Sequence, residues 1–300
     1  MEMMFYQYGA TRTEDLTTYG GGVITTAHSQ WHPIVTNWDV SNVTSMSKMF
    51  YSFTNLLGID LSNWNCDSVT NLYEAFQSAT TFDGGGLHNS SFPVLSNMGS
   101  TFLGTNLADV DVSNYGSSGN LTNISNCFRS IGTQVNPSPF TGLGLENWNV
   151  SGCTSLSHTF IGSNNQFNGD ISGWDVSNVT NMAKVLHSCS NFTRDLSGWN
   201  TQNVTSFLYA FNGSSMQFDP SSWDISSANN MTMSFGSGAA TTWDQARVDS
   251  VMAAWGSQNV QNDITLNIDV PTGVGVPTSG AGLTGYNNLV NNYNWSISIS

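Results

Sequence analysis

The sequence predicts an α/β solenoid, a right-handed stack of about eight coils of 24 to 32 residues, each a short parallel strand plus a short helical turn, with atypical units at both ends. Three observations predict it. The segment Trp38-Asp39-Val40-Ser41-Asn42-Val43-Thr44 recurs unchanged as Trp174-Asp175-Val176-Ser177-Asn178-Val179-Thr180. With the tryptophan as position zero, Val recurs at +5, Met or Leu at +8 and a large apolar residue at +12. Charge is scarce, 9% of residues, while 16 Phe, 10 Trp and 11 Met supply bulk for a core; globular domains carry roughly 25% charged residues, so Ser, Asn, Thr and Gly supply the polarity here.

Residues 1–34 read as an N-terminal cap, 35–238 as the repeats and 239–300 as a C-terminal capping unit. The +12 position holds Phe50, Phe76, Phe102, Phe128, Phe160, Leu186, Phe211 and Phe235, spaced by 26, 26, 26, 32, 26, 25 and 24 residues. The zero position holds Trp38, Trp64, Trp148, Trp174, Trp199 and Trp223, and the third and fourth coils keep Phe92 and Tyr115 nearby. These aromatics are the expected core. Leu61-x-x-Trp64-x-Cys66, Leu145-x-x-Trp148-x-Val150, Ile171-x-x-Trp174-x-Val176 and Leu196-x-x-Trp199-x-Thr201 follow a leucine-rich-repeat-like pattern, with alternate residues inward on a parallel strand. The +5, +8 and +12 spacing suits a helical or 3₁₀ turn. One such unit has too little apolar surface to bury alone, so stability must come from stacking.

Beyond Phe235 the register changes. Trp243, Ala246, Val248, Val251, Met252 and Trp255 have helical spacing, and Ile264, Leu266 and Ile268 alternate as a strand. After Pro271 and Pro277 a second short helix is expected around Leu283–Val290, then a final strand with Trp295, Ile297 and Ile299.

The Trp-Asp-Val-Ser-Asn-Val-Thr segment followed by Met46-Ser47-Lys48-Met49-Phe50, with Phe167-Asn168-Gly169-Asp170-Ile171-Ser172-Gly173 before the sixth tryptophan position, resembles the BspA-like leucine-rich-repeat family over about residues 35–236. The mycoplasma surface-lipoprotein form of that repeat is especially similar. The resemblance implies a surface-exposed, non-catalytic adhesion or interaction protein. The C-terminal unit more weakly resembles the closing unit of repeat proteins from bacteriophages and marine bacteria. The chain departs from the lipoprotein pattern in showing no signal peptide after Met1 and no lipidated cysteine. A protein folded in the cytoplasm and carried outward on a virus particle is the expectation.

Several classes are disfavoured. The net charge is -14, and the six basic residues, Arg12, Lys48, Arg129, Lys184, Arg194 and Arg247, are dispersed in sequence. A phosphate-tracking groove needs clustered cations, so no nucleic-acid partner is expected. No apolar run approaches a membrane span. Cys66, Cys127, Cys153 and Cys189 lack metal or redox spacings and read as small buried hydrophobes. His28, His32, His88, His158 and His187 are scattered, and Asp109-x-Asp111-x-Ser113 begins like a calcium loop without its later Gly and Glu. No hydrolase, metalloprotease or nucleotide-binding motif occurs. No cofactor, metal or enzymatic activity is expected.

Two candidate binding features stand out. Asp39, Asn65, Asn149, Asp175, Asn200 and Asp224 follow the tryptophans, one per coil, and read as an outward strip. The strip is either a ladder of side-chain hydrogen bonds or a polar binding surface for sugars or a partner protein. The six extra residues between Phe128 and Phe160, with Pro137, Pro139 and Phe140, read as a projecting loop, either a binding loop or a tolerated insertion. The Asn-x-Thr triplets at Asn42, Asn178 and Asn203 read as turn-to-turn bonding groups. The functional expectation is a virion surface component, such as a fibre, receptor-binding or capsid-decorating protein. Its partners would be other virion or surface proteins and host glycans or proteins, and oligomers are compatible. The alternatives are a cell-surface adhesin and, third, a glycan-acting enzyme using two carboxylates.

Overall fold

The computed structural model describes residues 16–17, 23–24, 35–53, 56–131, 140–162, 166–235 and 243–300. Their backbone is mostly irregular, built from chained turns around an aromatic-rich core, with a small parallel three-stranded sheet toward the C-terminus. The named elements are β1 (Leu16–Thr17) antiparallel to β2 (Val23–Ile24), the four-residue α1 (Ser113–Gly116), β3 (Met231–Phe235), α2 (Gln245–Trp255), β4 (Thr265–Ile268), α3 (Gly280–Asn292) and β5 (Ser296–Ile299). Apart from β1 and β2, the expected N-terminal cap lies outside the described residues.

Within the repeats the expected strand and helical turn are exchanged. The Leu-x-x-Trp segments are turns, not strands: the amides of Trp64, Trp148, Trp174 and Trp199 donate to the carbonyls of Leu61, Leu145, Ile171 and Leu196. Asp or Asn side chains two residues before a Ser amide close further turns on both sides of the tryptophan, as Asp60 does for Ser62 and Asp170 for Ser172. Such local bonds compete with strand pairing. The segment from +7 to +14, expected to be helical, instead carries the contact between repeats. Isolated parallel bridges join Ser45, Asn71, Asn97 and Asn123, and then Ser155, Asn181, Ser206 and Asn230. Phe50 and Phe76 at +12 donate their amides to Ala75 and Thr101 of the following repeat, and Phe128 and Phe160 to Thr159 and Val185.

The backbone at +10 explains why no helix forms. Lys48, Glu74, Ser100, Asn126, His158, Lys184, Tyr209 and Met233 all have φ between 52° and 61°. That left-handed conformation ends a right-handed helix and costs roughly 1–2 kcal/mol for a residue other than glycine. Hydrogen bonds on both sides hold it. The Lys48 amide donates to Tyr73 of the next repeat, while its carbonyl accepts from Tyr51 of its own. A threonine ladder at +6 runs alongside, in which Thr70 donates both amide and hydroxyl to the Thr44 carbonyl and Thr180 does the same to Thr154.

The aromatic positions pack as expected. Phe50, Phe76, Phe102, Phe128 and Phe160 stack successively at 5.5–5.9 Å, and Phe211 meets Phe235 at 5.7 Å. Phe92 and Tyr115 take the tryptophan's place in the two divergent repeats and stack at 4.9 Å. Trp64, Trp148, Trp174, Trp199 and Trp223 are buried, whereas Trp38 is half-buried against Trp64 at 6.4 Å. The four cysteines are free and buried.

The tryptophans also carry a bond that hydrophobicity alone does not explain. Each indole Nε1 donates across to the preceding repeat: Trp64 to the Val35 carbonyl, Trp148 to Val112, Trp174 to Leu145, Trp199 to Ile171 and Trp223 to Leu196, at 2.8–3.1 Å. Trp199→Phe is therefore expected to cost about 1 kcal/mol, the net worth of one hydrogen bond, because the Ile171 carbonyl still accepts from the Trp174 amide. Urea unfolding checks this, and a loss below about 0.5 kcal/mol would make the bond energetically idle.

The C-terminal unit has the expected order of helix, strand, helix, strand. The Asp244 side chain caps α2 by accepting from the Arg247 amide. α2 and α3 approach closely through glycines: a Cβ on Gly285 would lie 2.0 Å from the Met252 carbonyl oxygen. β3, β4 and β5 pair in parallel in that order. Trp255 and Trp295 repeat the indole tie, to the Pro220 and Gln261 carbonyls.

Candidate functional site

Asp39, Asn65, Asn149, Asp175, Asn200 and Asp224 are all exposed. Each Oδ1 accepts from the amide two residues on, belonging to Ser41, Asp67, Ser151, Ser177, Gln202 and Ser226 respectively. The strip is thus a row of turn-closing side chains. The hydrogen bonds recorded for these oxygens are local, rather than rungs between stacked side chains. The Ser41 hydroxyl, then its amide, hold the Asp39 carboxyl below its ordinary range, and Ser177 does the same for Asp175. These groups stay ionised, with lone pairs left toward solvent.

A ladder bond between side chains does occur elsewhere. At +7, the Asn123 amide donates to Asn97 at 3.0 Å. The triplet asparagines behave as expected in two of three repeats: Asn178 and Asn203 donate to the Ser151 and Ser177 carbonyls of the repeat before. Asn42 instead donates to Ser41 Oγ. The partial calcium motif is used internally. Asp109 accepts from the Thr141 amide and hydroxyl, and Asp111 from the Ser113 amide.

The expected binding loop is corrected in part. Pro137 and Pro139 lie outside the described residues, but Phe140 is buried and stacks on Phe128 at 4.8 Å. A large apolar ring beside an aromatic column is more stable inside it than at a loop tip. Among the described residues no group of three metal-ligating side chains forms, and no helix is long and apolar enough to cross a membrane.

Sequence spacing missed one juxtaposition. His158 and His187, which read as scattered, lie near each other and near Arg129 and Lys184. Burial, and then the charges of Arg129, Lys184 and His187, push the His158 imidazole below its ordinary pKa. His187 is lowered by burial and by Lys184, partly offset by the bond between its Nδ1 and the Asn212 carbonyl at 2.9 Å. The adjacency arises because +10 in one repeat neighbours +10 in the next, and +13 returns beside +10 through a turn.

The repeats divide into two matched sets. A family model described as "Mycoplasma protein of unknown function, DUF285" matches residues 23–139 and again 122–248. The chain belongs to the DUF285 family. Comparison with curated proteins and with solved structures finds no match. The two copies in this DUF285 protein coincide with the two runs of parallel bridges, Ser45 to Asn123 and Ser155 to Asn230. The join falls at the long repeat. There Ser125 Oγ bonds Ser155 Oγ, and the amides of Asn126, Phe128 and Ser130 still donate across to Ser157, Thr159 and Ile161.

Proposed function

We propose that this DUF285 protein is a non-enzymatic interaction protein, a leucine-rich-repeat-like solenoid displayed on a virus particle, where it presents the rows beside its tryptophans to a partner. The observation that carries the reading is the continuity of bonding between repeats, through the threonine ladder, the amides at +8 to +12 and the indole ties. Those ties extend to Trp295 in the terminal unit. Such nearest-neighbour bonding suits a rigid rod with an extended surface. The turn-closing use of Asp39 and Asp175 weighs against a glycan hydrolase, whose general acid needs a raised pKa, not a lowered one.

A second reading, a BspA-like adhesin on a cell surface, is favoured by the family's mycoplasma description. Quantitative mass spectrometry of density-purified virus particles beside the host envelope fraction separates the two. Stoichiometric recovery in particles supports display on a virion; recovery only in the envelope supports the adhesin. Recovery in neither, with the protein free in the cytosol, would overturn both.

A further inference from the structure

In a chain of net charge -14, a group of cations with no carboxylate partner among the described residues runs against the average field. Arg129, His158, Lys184 and His187 form such a group. Asn126, His158, Lys184 and Tyr209 occupy +10 in four consecutive repeats. The amide of Asn126 donates to Ser157, that of His158 to Ala183 and that of Lys184 to Leu208, which fixes neighbouring backbones roughly 4.8 Å apart. Arg129 bonds Asn126 Oδ1 through its guanidinium at 3.3 Å, which places its charge one step from His158. Lys184 Nζ lies 5.6 Å from the centre of the Tyr209 ring, and the His187 ring meets the same tyrosine edge-on at 5.9 Å. All five side chains are half-buried, held but still open to solvent.

Local bonding sets the donors. His187 Nδ1 faces the Asn212 carbonyl and so carries a hydrogen there. His158 Nδ1 faces Ser157 Oγ at 2.5 Å, which leaves Nε2 as its remaining polar atom. Among the described residues the recorded salt bridge is between Lys48 and Glu74, at the far end of the repeats; no carboxylate pairs with any of these four. The charges that act on the two histidines among the described residues are cations, which lower their pKa values.

The geometry points to an oxyanion-binding site on this face, made by Arg129, His158, Lys184 and His187, that takes a sulfate, phosphate or carboxylate group. Arg and Lys supply permanent charge, and each histidine adds one donor and one charge when protonated. The charges acting on His158 are Arg129, Lys184 and His187, and the charge acting on His187 is Lys184, all cationic. A bound oxyanion offsets that repulsion, favours the imidazolium and raises the pKa of both histidines. By linkage, affinity rises as pH falls through their titration and drops as they lose their protons. Because the whole chain is acidic, the attraction is local, and salt weakens it. The site is made of other residues than the strip beside the tryptophans and does not depend on where the protein is displayed.

Imidazole resonances of the whole chain, titrated from pH 5 to 8 in sodium sulfate and in sodium chloride of equal ionic strength, test this directly. The expected result is that sulfate raises the midpoints of His158 and His187 by about half a unit or more, roughly a threefold gain in proton affinity. His88 should stay unmoved. Lys184→Met should weaken sulfate binding about five- to tenfold, with Arg129→Gln as a second variant should the first misfold. Parallel titrations with phosphate and acetate identify the chemistry: response to the two tetrahedral ions alone assigns a sulfate or phosphate group, and response to acetate alone a carboxylate. Equal shifts in chloride, a matching shift at His88, or no response to any of the three anions would overturn the site.

Discussion

Phe160→Ala is expected to destabilise the protein by about 3–5 kcal/mol, the range for removing a fully buried aromatic side chain. The ring lies between two repeats, 5.7 Å from Phe128 and 4.1 Å from Phe167, with Trp174 tilted against it at 6.0 Å. Its removal leaves a cavity whose walls are held by bonds between repeats and have little freedom to collapse. The neighbouring repeat fills the same position with Leu186, which is fully buried. Phe160→Leu should therefore cost less, under about 2 kcal/mol, since it keeps most of the apolar volume. Guanidinium unfolding followed by both tryptophan fluorescence and circular dichroism measures each variant. Equal losses for Ala and Leu would show that volume at this position does not matter.

Gly285→Val has the second large effect, on the C-terminal unit. The added Cβ would meet the Met252 carbonyl oxygen at 2.0 Å, its carbon at 2.7 Å and the Ala253 Cα at 2.9 Å, all of them backbone atoms. α2 and α3 must then separate, which breaks the 2.6 Å bond from Asn288 Nδ2 to the Gly256 carbonyl. The expected loss is about 3 kcal/mol, at the upper end for overpacking. Hydrogen exchange should localise it, with protection falling across 280–299 and persisting through the repeats, where bonding is between neighbours. An unchanged exchange pattern would mean that the helices part without penalty.

The parts of this molecule legible in the sequence were those set by apolar periodicity. The columns at zero and +12 and the elements of the C-terminal unit follow from where large side chains recur. The assignment of strand and turn did not, because a spacing of three and four residues serves chained turns as well as a helix. The deciding signal, a left-handed residue at +10, is hidden: Lys48, Glu74 and Tyr209 give no hint of positive φ, as glycine would. The turn-closing role of the polar strip was within reach, since Asp39-x-Ser41 and Asp175-x-Ser177 have the spacing of a side chain capping an amide two residues on. Tryptophan, rather than leucine, at position zero was likewise a clue to the indole bond. The cationic group was not legible, because its members stand 3 to 58 positions apart and meet only through the register between repeats.

The left-handed residue at +10 has a consequence for how such a chain diversifies. From Lys48 to Tyr209 its amide is engaged by the carbonyl of the next repeat, so the fold leaves the charge and polarity of the side chain open. Over eight repeats the position holds Lys, Glu, Ser, Asn, His, Lys, Tyr and Met, of every charge and polarity, on one unchanging backbone. Mutation there rewrites the text of one face while leaving the page intact. A library randomised at the half-buried +10 positions, with the buried Ser100 kept, would hold the scaffold and vary what it displays.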